Sequence, residues 1–282
     1  MSFQSPNALT IIAGHKLALF DAYGVLLGAE GALPFARELI SHLQAENRDF
    51  FVVTNDASKT PARIASFYDR LGFSIPTDQI LSSGALLTSF VAEHGITGAQ
   101  CLVLGPPDSV TMAENAGLEV MAWESCKQAP EVLVVADEAG FPFLPAMEHV
   151  LTLLFQRIDA GKSVQLLLPN PDLLYPKNLS SFGFAAGSVA LLFEQALRHR
   201  YGEHAPAFRR LGKPNRLLFD QACEMAGTRD AVMFGDQLET DIRGANGAGI
   251  ASVLVETGVG RWKETLPPVL RPTHRLTNLA FQ

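Results

Sequence analysis

One stretch, residues 16–27 (KLALFDAYGVLL), constrains the fold more than any other part of the chain. Four apolar residues, Leu17–Phe20, run without interruption into Asp21, and Gly24 follows as a turn former. An apolar run without alternation, bounded by a turn signal, indicates a strand buried on both faces. A carboxylate at the carboxyl end of such a strand lies where open α/β sheets bind ligands. Asp21 is therefore either a functional group or a polar residue that closes a strand.

Further apolar runs predict strands of the same kind, and segments with helical periodicity lie between them. The predicted strands include 50–53, 231–234 and 250–255, and the first predicted helices are 33–47 and 61–71. Strands that alternate with helices predict a parallel sheet covered by helices, and therefore an α/β fold.

The block from residue 84 to residue 181 has strands and helices of its own. An α/β insertion of this size between two halves of a sheet is best interpreted as a second domain. We therefore predict a core domain formed by residues 1–83 and 182–282 and an inserted domain formed by residues 84–181. Such an insertion is suited to cover the strand ends as a lid.

Polar residues follow the strand predicted at 50–53. Thr54, Asn55 and Asp56 come directly after it, and a helix is predicted to begin soon afterwards. Backbone N–H groups and the helix dipole attract anions at such a position, so this segment predicts an anion site. Thr60 is also suited to cap the helix, and both interpretations can hold together.

Three charged residues in the last third of the chain have a similar setting. Lys213 lies between a glycine and a proline ahead of a predicted helix, where a lysine can neutralise both a carboxylate and a phosphate. Asp236 follows a predicted strand, and Asp241 comes five residues later. Carboxylates that meet across neighbouring strand ends form an oxygen-rich pocket that suits Mg²⁺. For Asp241 the alternative is charge complementation of a helix N-terminus.

The overall charge and composition exclude several classes of protein. A net charge of −7 disfavours binding to nucleic acid or to an anionic membrane surface, so we expect no such partner. The three cysteines are scattered and suggest neither a disulfide framework nor a zinc site. No membrane-spanning run and no signal peptide is visible, so we expect a cytoplasmic protein.

Four motifs follow four of the predicted strands in a specific order, and together they resemble the haloacid dehalogenase (HAD) superfamily of phosphohydrolases. They are Asp21-x-Tyr23-Gly24, Thr54-Asn55, Lys213-Pro214 and Gly235-Asp236…Asp241. The segments Thr54–Thr60, Asn170–Asp172 and Ala186–Ser188 also resemble the type IIA, NagD-like branch. The resemblance implies a Rossmann-like core with an inserted α/β cap, and an enzyme that removes phosphate from a small phosphorylated metabolite such as a sugar phosphate.

The resemblance also implies roles for individual residues. Asp21 would be the nucleophile and would form an aspartyl-phosphate. The Thr54–Asp56 segment would bind the phosphoryl group, and Lys213 would neutralise it and orient Asp21.

The resemblance further implies a Mg²⁺ cofactor. The ion would be held by Asp21, the backbone carbonyl of Tyr23 and Asp236, with Asp241 either as a further ligand or as a neighbour that contacts the ligands. The ion would screen Asp21 from the anionic phosphate. Capped proteins of this branch are often dimers, so we also expect a homodimer.

Tyr23 departs from the pattern of these phosphatases, which carry a second aspartate at this position. That aspartate acts as general acid and base, and such help is worth roughly 10²–10⁴ in rate. A phenol with a pKa near ~10 can protonate an alkoxide, but it is a poor base for water. We therefore assign Tyr23, with Asp21 and Lys213, to the catalytic residues of a phosphatase that would be impaired by the loss of this aspartate.

Two alternatives remain open. The first is a catalytically inactive homologue that binds a phosphate ligand. The second is a 2-haloacid dehalogenase, because the segment Asp21–Gly24 also resembles the first motif of those enzymes. In them an aspartate attacks carbon, and neither a metal nor an acid for an alcohol is needed.

Overall fold

The computed structural model describes residues 7–178 and 181–281. Helices and strands are numbered in chain order. The α-helices are α1 (Ala8–Ala13), α2 (Ala36–Ala45), α3 (Pro61–Arg70), α4 (Leu86–Glu93), α5 (Pro107–Asn115), α6 (Phe143–Asp159), α7 (Ala186–Tyr201), α8 (Leu217–Met225) and α9 (Arg243–Ala248). The strands are β1 (Leu17–Phe20), β2 (Leu27–Gly28), β3 (Gly31–Ala32), β4 (Asp49–Thr54), β5 (Ile80–Ser82), β6 (Gln100–Leu104), β7 (Glu119–Val120), β8 (Val132–Val135), β9 (Gln165–Leu168), β10 (Leu174–Asn178), β11 (Ser181–Phe184), β12 (Arg209–Arg210), β13 (Ala231–Gly235), β14 (Ala251–Val255) and β15 (His274–Leu276).

Six strands form a parallel sheet in the order β15-β14-β13-β1-β4-β5. In its centre, Phe20 of β1 is paired with Val52 of β4 and with Phe234 of β13. The segments that follow these three strands therefore leave the sheet side by side at its carboxyl edge. The sheet confirms the predicted α/β fold and explains how residues far apart in sequence reach one site.

A second parallel sheet has the order β12-β9-β8-β6-β7. Helices α6 and α7 pack on it, and Leu154 and Phe193 share an apolar cluster there with Leu133 of β8. Both α7 and β12 lie beyond residue 181, the end predicted for the inserted domain, and yet they pack with this sheet. We therefore propose that the inserted unit continues to Arg210.

The two sheets are joined by a shared apolar core. Leu19, Val53 and Met233 on one face of the first sheet belong to the same cluster as Val103 and Val134 of the second. Fully burying one such side chain contributes about 1.5–3 kcal/mol to the free energy of folding, so this shared core holds the two units against each other. A cleft of about 480 Å³ lies between them and is lined by residues of both.

Two helices begin later than their sequence patterns predict. α2 begins at Ala36 because Phe35 before it adopts a left-handed backbone conformation, with φ 67°. α8 begins at Leu217, since the Oδ1 atom of Asn215 accepts a hydrogen bond from the Leu217 N–H group and holds a turn there. Neither shift moves a residue of the cleft.

The start of α3 bears directly on the predicted anion site. Thr60 caps this helix, because its Oγ1 atom accepts a hydrogen bond from the N–H group of Arg63, while its own N–H group donates to Asp108. None of the described residues that line the cleft belongs to α3. The capping interpretation of Thr60 is therefore confirmed, and the cleft is lined by the loop before α3 rather than by the helix itself.

Among the helices of the described ranges, none combines the length and the apolar character needed to cross a bilayer.

Candidate active site

The side chain of Lys213 joins three segments of the chain. Its Nζ atom donates hydrogen bonds to Oδ1 of Asp21 and Oδ1 of Asp241, both at 2.6 Å, and to the carbonyl oxygen of Val53 at 2.8 Å. Asp21 directly follows β1, and Asp241 belongs to the π-helical turn Leu238–Ile242 after β13. Only 1% of Lys213 is exposed, so its charge is balanced by protein carboxylates rather than by water.

Three buried carboxylates converge beside this ammonium group. One oxygen from each of Asp21, Asp236 and Asp241 lies within 4.8 Å of the others. The Oδ2 atom of Asp236 accepts a hydrogen bond from the N–H group of Val259 at 2.7 Å. The Oδ1 atom of Asp236 is buried without a hydrogen-bond partner among residues 7–178 and 181–281.

Burial and neighbouring charges shift the pKa values of these groups. Burial raises the pKa of Asp21 from 3.8 to about 7, although Lys213 opposes the change. Burial also raises the pKa of Asp236 well above its ordinary value, and the charges of Asp21 and Asp241 add to that effect. Burial disfavours the charged form of Lys213 as well, but the neighbouring carboxylates outweigh it and raise the Lys213 pKa.

This donor set fits a divalent cation. Mg²⁺ is bound in proteins by a few carboxylate oxygens. An unpaired buried carboxylate oxygen is costly, and a cation next to Asp236 would remove that cost. The predicted metal ligands Asp21, Asp236 and Asp241 are thus brought together by the fold.

Glycines allow Asp236 to approach the turn that contains Tyr23. A Cβ atom at Gly24 or at Gly258 would overlap the Asp236 carboxylate. Gly24 also has φ +89°, which side chains rarely tolerate. The hydroxyl of Thr257 donates a hydrogen bond to the carbonyl oxygen of Gly24 and fixes the turn.

Asn55 was predicted to bind phosphate, but its side chain is committed to the protein. Its Nδ2 atom donates hydrogen bonds to Oδ1 of Asp172 at 3.0 Å and to the carbonyl oxygen of Lys213 at 3.1 Å. Its Oδ1 atom accepts a hydrogen bond from the N–H group of Lys213 at 2.8 Å. The geometry therefore makes the side chain of Asn55 a clamp on Lys213, and leaves contact with an anion to its backbone.

Thr54 and Asp56 have different surroundings. The Oγ1 atom of Thr54 accepts a hydrogen bond from the N–H group of Asp56 at 3.1 Å, so its own hydrogen can be donated to a ligand. The carboxylate of Asp56 accepts hydrogen bonds from Ser58 and from the Nζ atom of Lys59. Asp56 therefore orders the loop, and Thr54 is the residue of the pair that is suited to hold a phosphate.

Tyr23 lies in the wall of the cleft and is half-buried. Burial raises the pKa of its phenol above the ordinary value, although the nearby charge of Lys59 opposes the change. The phenol therefore stays protonated at neutral pH and can donate a proton.

The opposite wall comes from the inserted unit, and the sequence analysis did not assign its residues. Asp137 and Glu138 follow β8, and Tyr175 and Lys177 lie on β10. Asp137 was detectable by the rule that found Asp21, because it also comes just after an apolar strand. The β10–β11 hairpin, by contrast, has no clear alternating pattern.

Two family models match the chain. One, described as haloacid dehalogenase-like hydrolase, covers residues 18–119, and one described as HAD-hydrolase-like covers residues 210–280. A dihydroxyacetone phosphatase of Corynebacterium glutamicum is 27% identical over 93% of this chain and 88% of its own length. The two family models together include every motif that carried the resemblance except the segments Asn170–Asp172 and Ala186–Ser188.

Solved structures share the fold over nearly the whole chain. A possible sugar phosphatase of the HAD superfamily from Cytophaga hutchinsonii has a TM-score of 0.86 and 28% identity, with 99% of both chains covered. Glycerol phosphate phosphatase of Mycobacterium tuberculosis, solved with calcium, has a TM-score of 0.75 and 25% identity over 95% of this chain and 75% of its own. NagD from Escherichia coli K-12 has a TM-score of 0.73 and 20% identity over 94% and 97%, and it shares the fold.

The fold and the site together combine a parallel α/β sheet, a second α/β unit beside it and a buried centre of carboxylates and a lysine. The chain belongs to the haloacid dehalogenase-like hydrolases, and NagD is among the solved structures that share its fold. The resemblance in the sequence and the HAD-like fold that it implied are confirmed.

Proposed function

We propose that the protein is a Mg²⁺-dependent phosphatase that hydrolyses the monoester of a small phosphorylated metabolite, such as a sugar or glycerol phosphate. The observation that carries the proposal is the pair formed by Lys213 and Asp21, beside two further buried carboxylates. The activities of two relatives, a dihydroxyacetone phosphatase and a glycerol 3-phosphate phosphatase, support the same reaction class.

Asp21 acts as the nucleophile in this proposal. Its Oδ1 atom is held by Lys213, and Asp21 lines the cleft, so its second oxygen is the one to attack phosphorus. The P–O bond to the alcohol breaks as the Asp21–phosphorus bond forms, and the alkoxide takes up a proton. Water then attacks the aspartyl-phosphate, which releases inorganic phosphate and restores Asp21.

Asp21, Asp236 and the backbone carbonyl of Tyr23 would hold the cation, with Asp241 as a further ligand. When bound, Mg²⁺ supplies positive charge that offsets the repulsion between a carboxylate and a phosphate dianion. Both oxygens of Asp241 already accept hydrogen bonds, Oδ1 from Lys213 and Oδ2 from the N–H group of Gln237, which suits a place at the margin of the metal site.

The phosphoryl group would be bound by the hydroxyl of Thr54, by the backbone N–H group of Asn55 and by the charge of Lys213, while Asp56, whose N–H group donates to Thr54, would order the segment. Donors arranged in advance around the transferring group stabilise its charge without reorganisation. Tyr23 would donate the proton to the leaving alkoxide. It cannot readily activate water, so we expect the second half-reaction to be the slow one.

Turnover of 4-nitrophenyl phosphate tests the proposal, because this leaving group needs little protonation. Hydrolysis that requires Mg²⁺, stops with a chelator and is lost in Asp21→Asn is expected. Asp49→Asn is the matched control, since Asp49 is an exposed carboxylate at the far end of the neighbouring strand β4. Equal turnover in Asp21→Asn would contradict the proposal.

The same preparation separates the alternatives. Thermal stabilisation by phosphate and Mg²⁺ together, without product, would indicate the inactive ligand-binding homologue. Halide release from 2-chloropropionate without metal would indicate a dehalogenase.

We also propose that the protein forms a homodimer and acts in the cytoplasm. Leu174, Phe182 and Phe184 of the β10–β11 hairpin are exposed, and apolar surface of this kind supports self-association. The three cysteines are unpaired thiols, which suits a reducing compartment. Light scattering after size exclusion measures the oligomeric state, and a monomer at micromolar concentration would contradict the dimer.

A further inference from the structure

The two sheets present their carboxyl ends to the same cleft, and each contributes an aspartate there. Asp21 follows β1 of the first sheet, and Asp137 follows β8 of the second with one residue between. The first aspartate lies at the phosphate end of the cleft. The second lies on the wall supplied by the inserted unit, where the rest of a bound ester must lie.

The carboxylate of Asp137 is not neutralised by the protein. Within the described residues its hydrogen bond comes from the N–H group of Ala139 at 2.9 Å, and it forms no ion pair there. Asp137 is half-buried, and burial raises its pKa to about 6, so it is mostly ionised at neutral pH.

The charged groups around Asp137 have other neighbours: on the same wall, Lys177 lies 6.0 Å from the ring centre of Tyr175, and its charge acts on Glu138. From the core, Lys59 is bound to Asp56 and to the hydroxyl of Ser58, and the phenol of Tyr23 is neutral. On its own loop, the hydroxyl of Tyr175 lies near Glu138 and partly opposes the rise that burial causes in the Glu138 pKa. Asp137, by contrast, accepts only a backbone hydrogen bond within the described residues, so its carboxylate can accept another from a ligand.

We infer that Asp137 is the specificity-determining residue of the cleft, which accepts a hydrogen bond from a hydroxyl of a neutral leaving group and excludes leaving groups that carry a carboxylate. The inference rests on the proposed phosphatase function. With the phosphate fixed at the Asp21 end, the distal part of a small ester points to the Asp137 wall. A hydroxyl donates to a carboxylate, whereas a second carboxylate placed there meets a like charge.

Two esters that differ only at the distal end test the inference. Glycerol 3-phosphate carries a hydroxymethyl group where 3-phosphoglycerate carries a carboxylate, and 4-nitrophenyl phosphate, which has no hydroxyl, is the reference. The wild-type protein is expected to prefer glycerol 3-phosphate by about 100-fold in kcat/KM. Asp137→Asn is expected to reduce this preference at least ~10-fold, through KM of both glycerol esters, and to change 4-nitrophenyl phosphate turnover by less than about twofold.

Glu138→Gln is the matched control, because it removes the neighbouring carboxylate of the same wall and leaves Asp137 in place, and the preference is expected to stay within about threefold of wild type. An unchanged preference in Asp137→Asn would overturn the inference, as would a wild-type protein that hydrolyses 4-nitrophenyl phosphate but neither glycerol ester. A wild-type protein that hydrolyses none of the three contradicts the proposed function itself. The two failures are thus distinguishable.

Discussion

The Nζ atom of Lys213 lies 2.6 Å from the Oδ1 atom of Asp21, and the side chain of Lys213 is 2% exposed. The pair joins residues separated by 192 positions in the chain. Isolated buried charges are unstable, so each member of the pair depends on the other for its ionised form. The same contact that balances the charge also fixes the direction of the attacking carboxylate. Stability and reactivity of this site are therefore coupled.

Replacement of Lys213 by Met is expected to reduce both the stability of the protein and its activity. Removing one partner of a buried pair typically costs about 3–5 kcal/mol, and here it leaves Asp21 and Asp241 facing each other. We expect kcat/KM for 4-nitrophenyl phosphate to fall by about 10³ or more and the melting temperature without metal to drop. Mg²⁺ should then stabilise the variant more than it stabilises the wild type, because the cation takes over part of the lost charge.

Lys59→Met is the control for this variant. Lys59 also lines the cleft, but 36% of its side chain is exposed, and such surface pairs contribute roughly 0–1 kcal/mol. Denaturant unfolding of both variants measures the contrast. Equal stability of Lys213→Met and wild type would show that the buried pair is not a structural support.

Without metal, stability is expected to fall as pH rises between about pH 4 and pH 7. Burial raises the pKa of Asp21 to about 7 and that of Asp172 to about 6, both from an ordinary 3.8. The native state then binds more protons than the unfolded chain in this interval, so the free energy of unfolding decreases as pH rises and these protons dissociate. Melting temperatures measured with a chelator should decline across the range, and the stabilisation by Mg²⁺ should grow, because the cation competes with the protons.

Asp172→Asn isolates one contribution to this pH dependence. The asparagine does not titrate, so the melting temperature of this variant should decline less steeply with pH than that of the wild type. A melting temperature that rises from about pH 5 to about pH 7 in the chelated wild type would contradict the raised pKa values.

The strand-end rule predicted the core of this site because parallel strands deliver their following residues to one edge. Asp21 and Asp236 could be predicted in this way, and both are in the carboxylate cluster. The partners of Asn55 could not, because they depend on how the inserted unit packs on the core. Asp172 arrives from beyond β9 of the second sheet, and no local pattern encodes that contact.

Asn55→Ala is expected to act on kcat more than on KM. The side chain bonds both the N–H group and the carbonyl oxygen of Lys213. Its loss should therefore disturb the position of the lysine more than the binding of phosphate. Each buried group left unpaired costs about 1–3 kcal/mol, and we expect a lower melting temperature with kcat reduced about 10²-fold. Ser83→Ala is the control, because its hydroxyl donates to the carbonyl oxygen of Asn55 without touching Lys213. A large rise in KM with kcat preserved would instead support phosphate binding by the Asn55 side chain.

Tyr23→Asp is expected to raise the rate for esters with poor leaving groups. An aspartate supplies both an acid for the alkoxide and a base for water, and help of this kind is worth roughly 10²–10⁴ in rate. In kcat/KM, which reports the first half-reaction, glycerol 3-phosphate should gain more than 4-nitrophenyl phosphate, since only the former needs its leaving group protonated.

Tyr23→Phe separates the hydroxyl from the ring. If the phenol donates the proton, this variant should lose kcat/KM for glycerol 3-phosphate by about tenfold and keep kcat/KM for 4-nitrophenyl phosphate. A burst of nitrophenol that equals the enzyme concentration, followed by a slow steady rate, would identify hydrolysis of the aspartyl-phosphate as the slow step in the wild type. The burst should disappear in Tyr23→Asp, because the new carboxylate activates the water. An unchanged or lower steady rate in Tyr23→Asp would show that Tyr23 does not occupy the position of a missing acid–base group.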